Sequence, residues 1–267
     1  MAKITAQMVK QLRDKTDAGM MDCKKALAET GGDMEKAVDQ LRKAGILKAA
    51  KKASRAATEG RVVIRLEDRV AVMVEVLCET DFVARNQKFT DYAGDLSRRL
   101  VSDHRGDVDL TESLGDAEKE RLGELVGQLG ENMQVRRAVR WESDNQFGSY
   151  LHMGGRIGVL AELAGEVSES LATDICMHIA AFNPRFVSPA DVDPAALERE
   201  KEIAEAQVQG KPPEIMEKIV SGKINKWYSD VCLSHQPWLR DDKTSLGKVA
   251  PGVEVKRFAR WQVGEEL

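Results

Sequence analysis

Thr80-Asp81-Phe82-Val83 is the stretch of this 267-residue chain whose residue types and order could do chemistry. It directly follows the most apolar run, Val70 to Cys78. A threonine here can cap a short helical turn, which would present a carboxylate and a phenyl ring at the rim of a core. Two readings are open. In one, Asp81 is an acidic residue favoured by the helix dipole and Phe82 fills the core. In the other the pair is a wedge: an exposed ring inserts into a partner while the carboxylate disturbs a bound cation or its ligands. Other reactive side chains do not assemble. His104, His152, His178 and His235 are scattered, with no cysteine or acid at a spacing that suggests a nucleophile or a metal. Cys23, Cys78, Cys176 and Cys232 form no CxxC pair and read as reduced, mostly buried thiols. There is no GxxxxGK[ST] loop, GxGxxG, GxSxG or HExxH. The expectation is a protein that is not an enzyme, binds no nucleotide itself and holds no cofactor or metal.

Bulk properties set the frame for these residues. With 42% hydrophobic and 31% charged residues the chain can build a core and split into two or three modules. The opening MAKITAQMVK is polar, and no apolar run approaches the roughly 18 residues of a membrane helix, so the expected location is the cytoplasm. Residues 1 to 55 hold 13 Lys and Arg against 7 Asp and Glu, leaving 27 against 37 in the remainder. A basic end can mean nucleic acid, a solvated face or a dock for an acidic protein. No aromatic interleaves these charges, which disfavours direct nucleic-acid binding.

The elements that must position the Thr80 segment follow from periodicity and punctuation. Thr5 caps a first helix bearing Met8, Val9 and Leu12. A second helix runs from Met20 to Glu29, and Asp33 caps a third that Gly45 stops. The basic, alanine-rich stretch from Ile46 to Ala57 reads as a linker helix. Period-two patterning then gives a hairpin, Arg61 to Leu66 and Val70 to Cys78, turning at Glu67-Asp68. Helices follow at about Gln87 to Val101 and Ala117 to Leu129, with a Gly/Asp-rich loop between them. Strands come next at Gln134 to Glu142, Gly148 to His152 and Ile157 to Leu163, then a helix from Glu169 to Phe182. All seven prolines fall from Pro184 onward, which places a boundary there. Helical segments 194–209 and 213–232 flank Gly210-Lys211-Pro212-Pro213 and read as an antiparallel hairpin. Its apolar residues, Ile203 and Ile215 among them, face one another. Either a dimer or docking role or simple core packing suits that arm. Val253 to Val263 returns as a strand. The expected fold is α+β: an N-terminal three-helix domain, a two-part core of similar halves and the arm. The expected modules are 1–55; 56–142; 143–183 with 233–267; and 184–232.

The chain resembles the bacterial elongation factor Ts family along most of its length. The resemblance is carried by ITAQMVKQLRDKTDAGMMDCKKALAETGGD, KAAKKA, CETDFVARN, GENMQVRR, GSYLHMGGRIGVL, MHIAAFNPRFV, GKPPEI and RWQVGEE. It implies a ubiquitin-associated-like N-terminal domain, an α+β core and a helical-hairpin (coiled-coil) arm. It also implies an exchange factor that binds elongation factor Tu and promotes release of its GDP during translation. By matching position, Arg13, Met20, Met21 and Lys24 would contact the partner from the first domain. Asp81 and Phe82, between Thr80 and Val83, would intrude at the edge of its Mg²⁺-nucleotide site. Leu129 and His152 would add contacts from the core. A homodimer of heterodimers through the arm is one option. Against these roles stand plainer ones: Arg13 and Lys24 as solvated charges, and one of Met20 and Met21 in the bundle core. Arg240 stands where the family commonly has an apolar residue, which puts contacts from that edge in doubt. An RNA-binding module and a purely structural dimer are the competing classes.

Overall fold

Short polar residues start the first helices. In the computed structural model, which describes residues 4–103, 106–109, 114–208 and 212–266, the Thr5 hydroxyl accepts from the Met8 amide at 3.2 Å. The Asp33 carboxylate accepts from Lys36 at 3.1 Å. His104 and the Gly210-Lys211 tip of the arm lie outside the described residues. Helices α1 (Ala6–Thr16), α2 (Met20–Glu29) and α3 (Met34–Lys52) bury Val9, Leu12, Cys23, Ala26, Leu27 and Ala37 among them. Helix α3 does not stop at Gly45. It runs on to Lys52, into the stretch expected to be a separate linker helix. Gly45 serves close approach instead: a Cβ there would lie 3.2 Å from the carbonyl oxygen of Gly123 on α6 (Asp116–Leu129). The roughly 1 kcal/mol that glycine costs a helix interior is offset by this tight crossing, reinforced by Arg42–Glu124 at 2.9 Å.

The described residues of Met1–Arg65, Val72–Trp141 and Gln262–Leu267 make one compact unit. Its sheet has the order β1-β2-β4-β3, from β1 (Glu59–Glu67), β2 (Val70–Cys78), β3 (Val108–Asp109) and β4 (Met133–Glu142). The hairpin turn falls at Asp68-Arg69, one residue later than its sequence suggests, with Asp68 taking the left-handed φ of 48°. Gly60 has φ 149°, and a Cβ on it would sit 2.1 Å from the Val76 carbonyl oxygen, so only glycine lets β1 lie this close to β2. From Ala71 to Cys78 every residue of β2 is buried, the mark of a strand covered on both faces. The short α4 (Asp81–Ala84) and α5 (Gln87–Asp103) follow. Strand β3, whose Val108 pairs with Arg140, is too short for periodicity to announce it.

The second unit comprises Leu66–Ala71 and Glu142–Trp261. Strands β5 (Gln146–His152), β6 (Ile157–Ala164) and β9 (Glu254–Gln262) form its main sheet in the order β5-β6-β9. Gln146 pairs with Leu163 and His152 with Ile157. Helix α7 (Glu169–Phe182) covers the sheet with Ala172, Ile175, Cys176 and Ile179, which join Val159, Ala161 and Leu163 in one core. The arm consists of α8 (Pro194–Ala206) and α9 (Pro213–Val231), with Ala204 and Ile224 buried. Ile203 and Ile215 are only half covered there, at 46% and 48% exposed. The stretch after the arm folds into the small pair β7 (Pro237–Trp238) and β8 (Asp241–Ser245), then α10 (Leu246–Val249), all unannounced by the sequence pattern. Arg240 pairs with Asp174 on α7, which gives that charge a local structural role.

His178 is a structural node of this unit. Its ring stacks on Phe182 and Trp238 with centroids 4.6 and 5.1 Å away. The Leu239 amide donates to Nδ1 at 3.2 Å, so the proton sits on Nε2, which donates to Gln236 Oε1 at 3.0 Å. Burial holds its pKa below the ordinary histidine value, opposed in part by the Gln236 bond. Its contribution to stability is therefore complete above about pH 6.5 and declines as pH falls toward the lowered folded-state value, by at most about 1.4 kcal/mol per pH unit. Melting curves from pH 7.5 to 5 should show a drop that is smaller in His178→Gln. Equal slopes in the two proteins would contradict this assignment.

Candidate functional site

The end of β2 is held by two carboxylates that cross between neighbouring strands. Glu131, in the α6–β4 turn, accepts from the Glu79 amide at 3.1 Å, the Thr80 amide at 3.0 Å and the Thr80 hydroxyl at 2.6 Å. Glu79 answers in the opposite direction: its Oε1 accepts from the Asn132 amide at 2.6 Å and faces Arg55 at 3.4 Å. The Asn132 amide bond, with Arg55 assisting, holds the Glu79 carboxyl below its usual pKa. Asn132 Nδ2 donates to the Arg55 carbonyl at 2.7 Å. Burial, with Glu131 and Glu59 nearby, pushes the Cys78 thiol up to about 12, so it is inert and donates to the Thr80 carbonyl at 3.2 Å.

From this clamp springs α4. Thr80 is its N-cap, with φ −126° and its hydroxyl accepting from the Val83 amide at 3.4 Å. Ala84 is buried and Val83 half-buried, anchoring one side of the turn. On the other side Phe82 is 84% exposed. The reading in which this ring fills the core is thus excluded. Asp81 pairs with Arg85 at 3.1 Å, one helical turn on.

Met20 and Met21 are 59% and 73% exposed, so neither fills the bundle core. The buried face of α2 is set by Cys23, Ala26 and Leu27. Met21 points away from that stripe, and Met20, although in line with it, lies in the uncovered first turn. Arg13 and Lys24 are exposed. Lys88, at the start of α5, reaches Asp17 at 3.1 Å, which joins the α1–α2 turn preceding Met20 to the helix that follows Phe82. Leu129 is the half-buried last residue of α6. In the second unit His152 is exposed at the end of β5, its Nδ1 3.1 Å from the Tyr150 hydroxyl. The turn after it carries Met153, 69% exposed, at φ 48°. Glu79, Glu131, Asn132 and Lys88 were not among the residues the sequence singled out. Glu131 and Asn132 stood there only within GENMQVRR and Glu79 only within CETDFVARN. Among the described residues no group of three or more His, Cys, Asp or Glu could hold a metal ion. Among the described residues no helix is long and apolar enough to cross a membrane.

Fold and surface together define an α+β protein that carries exposed apolar side chains on hydrogen-bonded turns. The profile of the family described as Elongation factor TS matches residues 79–265. The proteins named Elongation factor Ts from three Clostridium perfringens strains, SM101, ATCC 13124 and 13, are each 46% identical over 286 residues, covering 99% of this chain and 94% of the relative. The chain belongs to the elongation factor Ts family.

Proposed function

We propose that this chain is a guanine-nucleotide exchange factor that binds elongation factor Tu·GDP, disturbs its Mg²⁺-nucleotide site and promotes GDP release so that GTP can bind. The observation that carries the reading is Phe82, 84% exposed on a turn whose backbone is tied down on both sides. A phenyl ring left in water at such a rigid point gains by entering a partner. Asp81 travels with it and perturbs the water and carboxylate shell of the partner's Mg²⁺, an ion that tolerates little departure from octahedral geometry. Arg13, Met20, Met21 and Lys24 supply docking area beside the wedge. Leu129 adds to it from α6, and His152 adds contacts from the second unit. No bond is made or broken, and the direction of exchange follows the cellular ratio of GTP to GDP.

Exchange of this kind requires reciprocal coupling: whatever factor the protein removes from nucleotide affinity, nucleotide removes from the affinity for the protein. Titration of elongation factor Tu by calorimetry should therefore give a dissociation constant for this protein that is at least about tenfold weaker with saturating Mg²⁺·GDP than without nucleotide, each tenfold corresponding to about 1.4 kcal/mol. The same affinity in both conditions would reject the reading.

A further inference from the structure

We propose that Glu131 is a positioning residue for nucleotide exchange, fixing the direction in which Phe82 and Asp81 leave the protein. The inference rests on the exchange reading above and deepens it. Phe82 is 84% exposed, so no neighbouring side chain sets its course and the direction of its Cα–Cβ bond is fixed by its backbone. That backbone is set by Thr80, whose hydroxyl is used twice. It donates to Glu131 Oε1 at 2.6 Å, which turns its lone pairs toward the Val83 amide it accepts from at 3.4 Å. The other oxygen of Glu131 takes both amides that precede α4, Glu79 at 3.1 Å and Thr80 at 3.0 Å. One carboxylate thus fixes the exit of β2 and orients the cap of the turn. Charge-assisted bonds of this kind are roughly twice as strong as neutral ones. Glu79, bonded back to the Asn132 amide at 2.6 Å, prevents the Glu131 turn itself from sliding.

The test is the saturation curve for GDP release from elongation factor Tu·GDP, run for wild type, Glu131→Ala, Glu131→Gln and Phe82→Ala, with a melting curve for each. Glu131→Ala should lower kcat by about tenfold or more, the scale on which a misplaced reacting group loses rate, with KM within about twofold of wild type. Glu131→Gln keeps an acceptor for the two amides and should fall between the two. A purely structural role would lower melting temperature and active fraction without this ordered kcat loss in folded protein. If Glu131→Ala does not fold, Thr80→Val, which removes the hydroxyl's bond to Glu131 together with its cap on the Val83 amide while leaving the two amide bonds to Glu131, is measured in its place and should show a kcat loss of the same order. An unchanged kcat in the folded variant overturns the proposal, as does a loss confined to KM. Wild type and Phe82→Ala separate the levels: if wild type does not accelerate release, the exchange reading falls; if Phe82→Ala exchanges normally, the wedge falls and the role of Glu131 with it; if Phe82→Ala fails while Glu131→Ala exchanges normally, only the role of Glu131 falls.

Discussion

Phe82→Ala should leave this protein folded and able to bind elongation factor Tu, yet remove most of its acceleration of GDP release. The ring is 84% exposed, so truncating it forfeits almost no packing in the free protein. Surface changes of this sort usually move stability by less than about 0.5 kcal/mol. The cap of α4 depends on Thr80 and the backbone, which the substitution leaves in place. What is lost is the transfer of a phenyl group from water into the partner, about 1.5–3 kcal/mol, or roughly 10- to 100-fold in the coupling between protein and nucleotide. The docking proposed for Arg13, Met20, Met21 and Lys24 should remain. Stopped-flow release of fluorescent GDP, with a parallel affinity titration on nucleotide-free partner, separates the two effects. Undiminished release by the variant would remove the wedge from the account, and equal losses in release and affinity would make Phe82 a docking residue only.

The largest stability effect is expected at Glu75, in the middle of the buried strand β2. It is fully buried, and its Oε2 accepts from Arg137 Nε at 2.6 Å. Its Oε1 accepts from the Gly264 amide at 3.2 Å and lies 3.5 Å from Arg136. Arg137 is itself buried and bridges onward to Glu265 at 2.7 Å. The cluster therefore joins β2, β4 and the chain after β9. Glu75→Ala leaves two guanidinium groups short of a partner in a dry site. Removal of one member of a buried pair costs about 3–5 kcal/mol, enough to lower the melting temperature by on the order of 10 °C. Thermal unfolding followed by circular dichroism reads this directly. A shift under about 2 °C would mean that Glu265 and water satisfy the arginines without Glu75.

Much of this fold is legible in the sequence because its signals are local. Thr5, Asp33, Thr80 and Ser168 cap helices by hydrogen bonds spanning three residues, and a reader of the chain sees both ends of each bond. The apolar runs of β2 and β6 announce themselves in the same way. Gly45 misleads because a glycine that ends a helix and one that lets two helices touch are the same letter, and the carbonyl that decides between them is on Gly123. Ile203 and Ile215 fit an arm stripe by spacing but stay exposed. Met20 shows the related limit for the site: its spacing is that of a core residue, while its exposure depends on what covers the first turn of α2. Glu131 was invisible because its three donors lie more than fifty residues away in the chain. The segment 80–83 could be read as carrying the chemistry, whereas the residues that hold it in place could be found only in three dimensions.

The central claim is tested most directly by loading elongation factor Tu with fluorescent GDP, adding excess unlabelled GDP in the presence of Mg²⁺, and following release with and without substoichiometric amounts of this protein. Release should speed up in proportion to the protein added, with each molecule turning over many times. Release at the uncatalysed rate, with the protein shown to be folded, would contradict it.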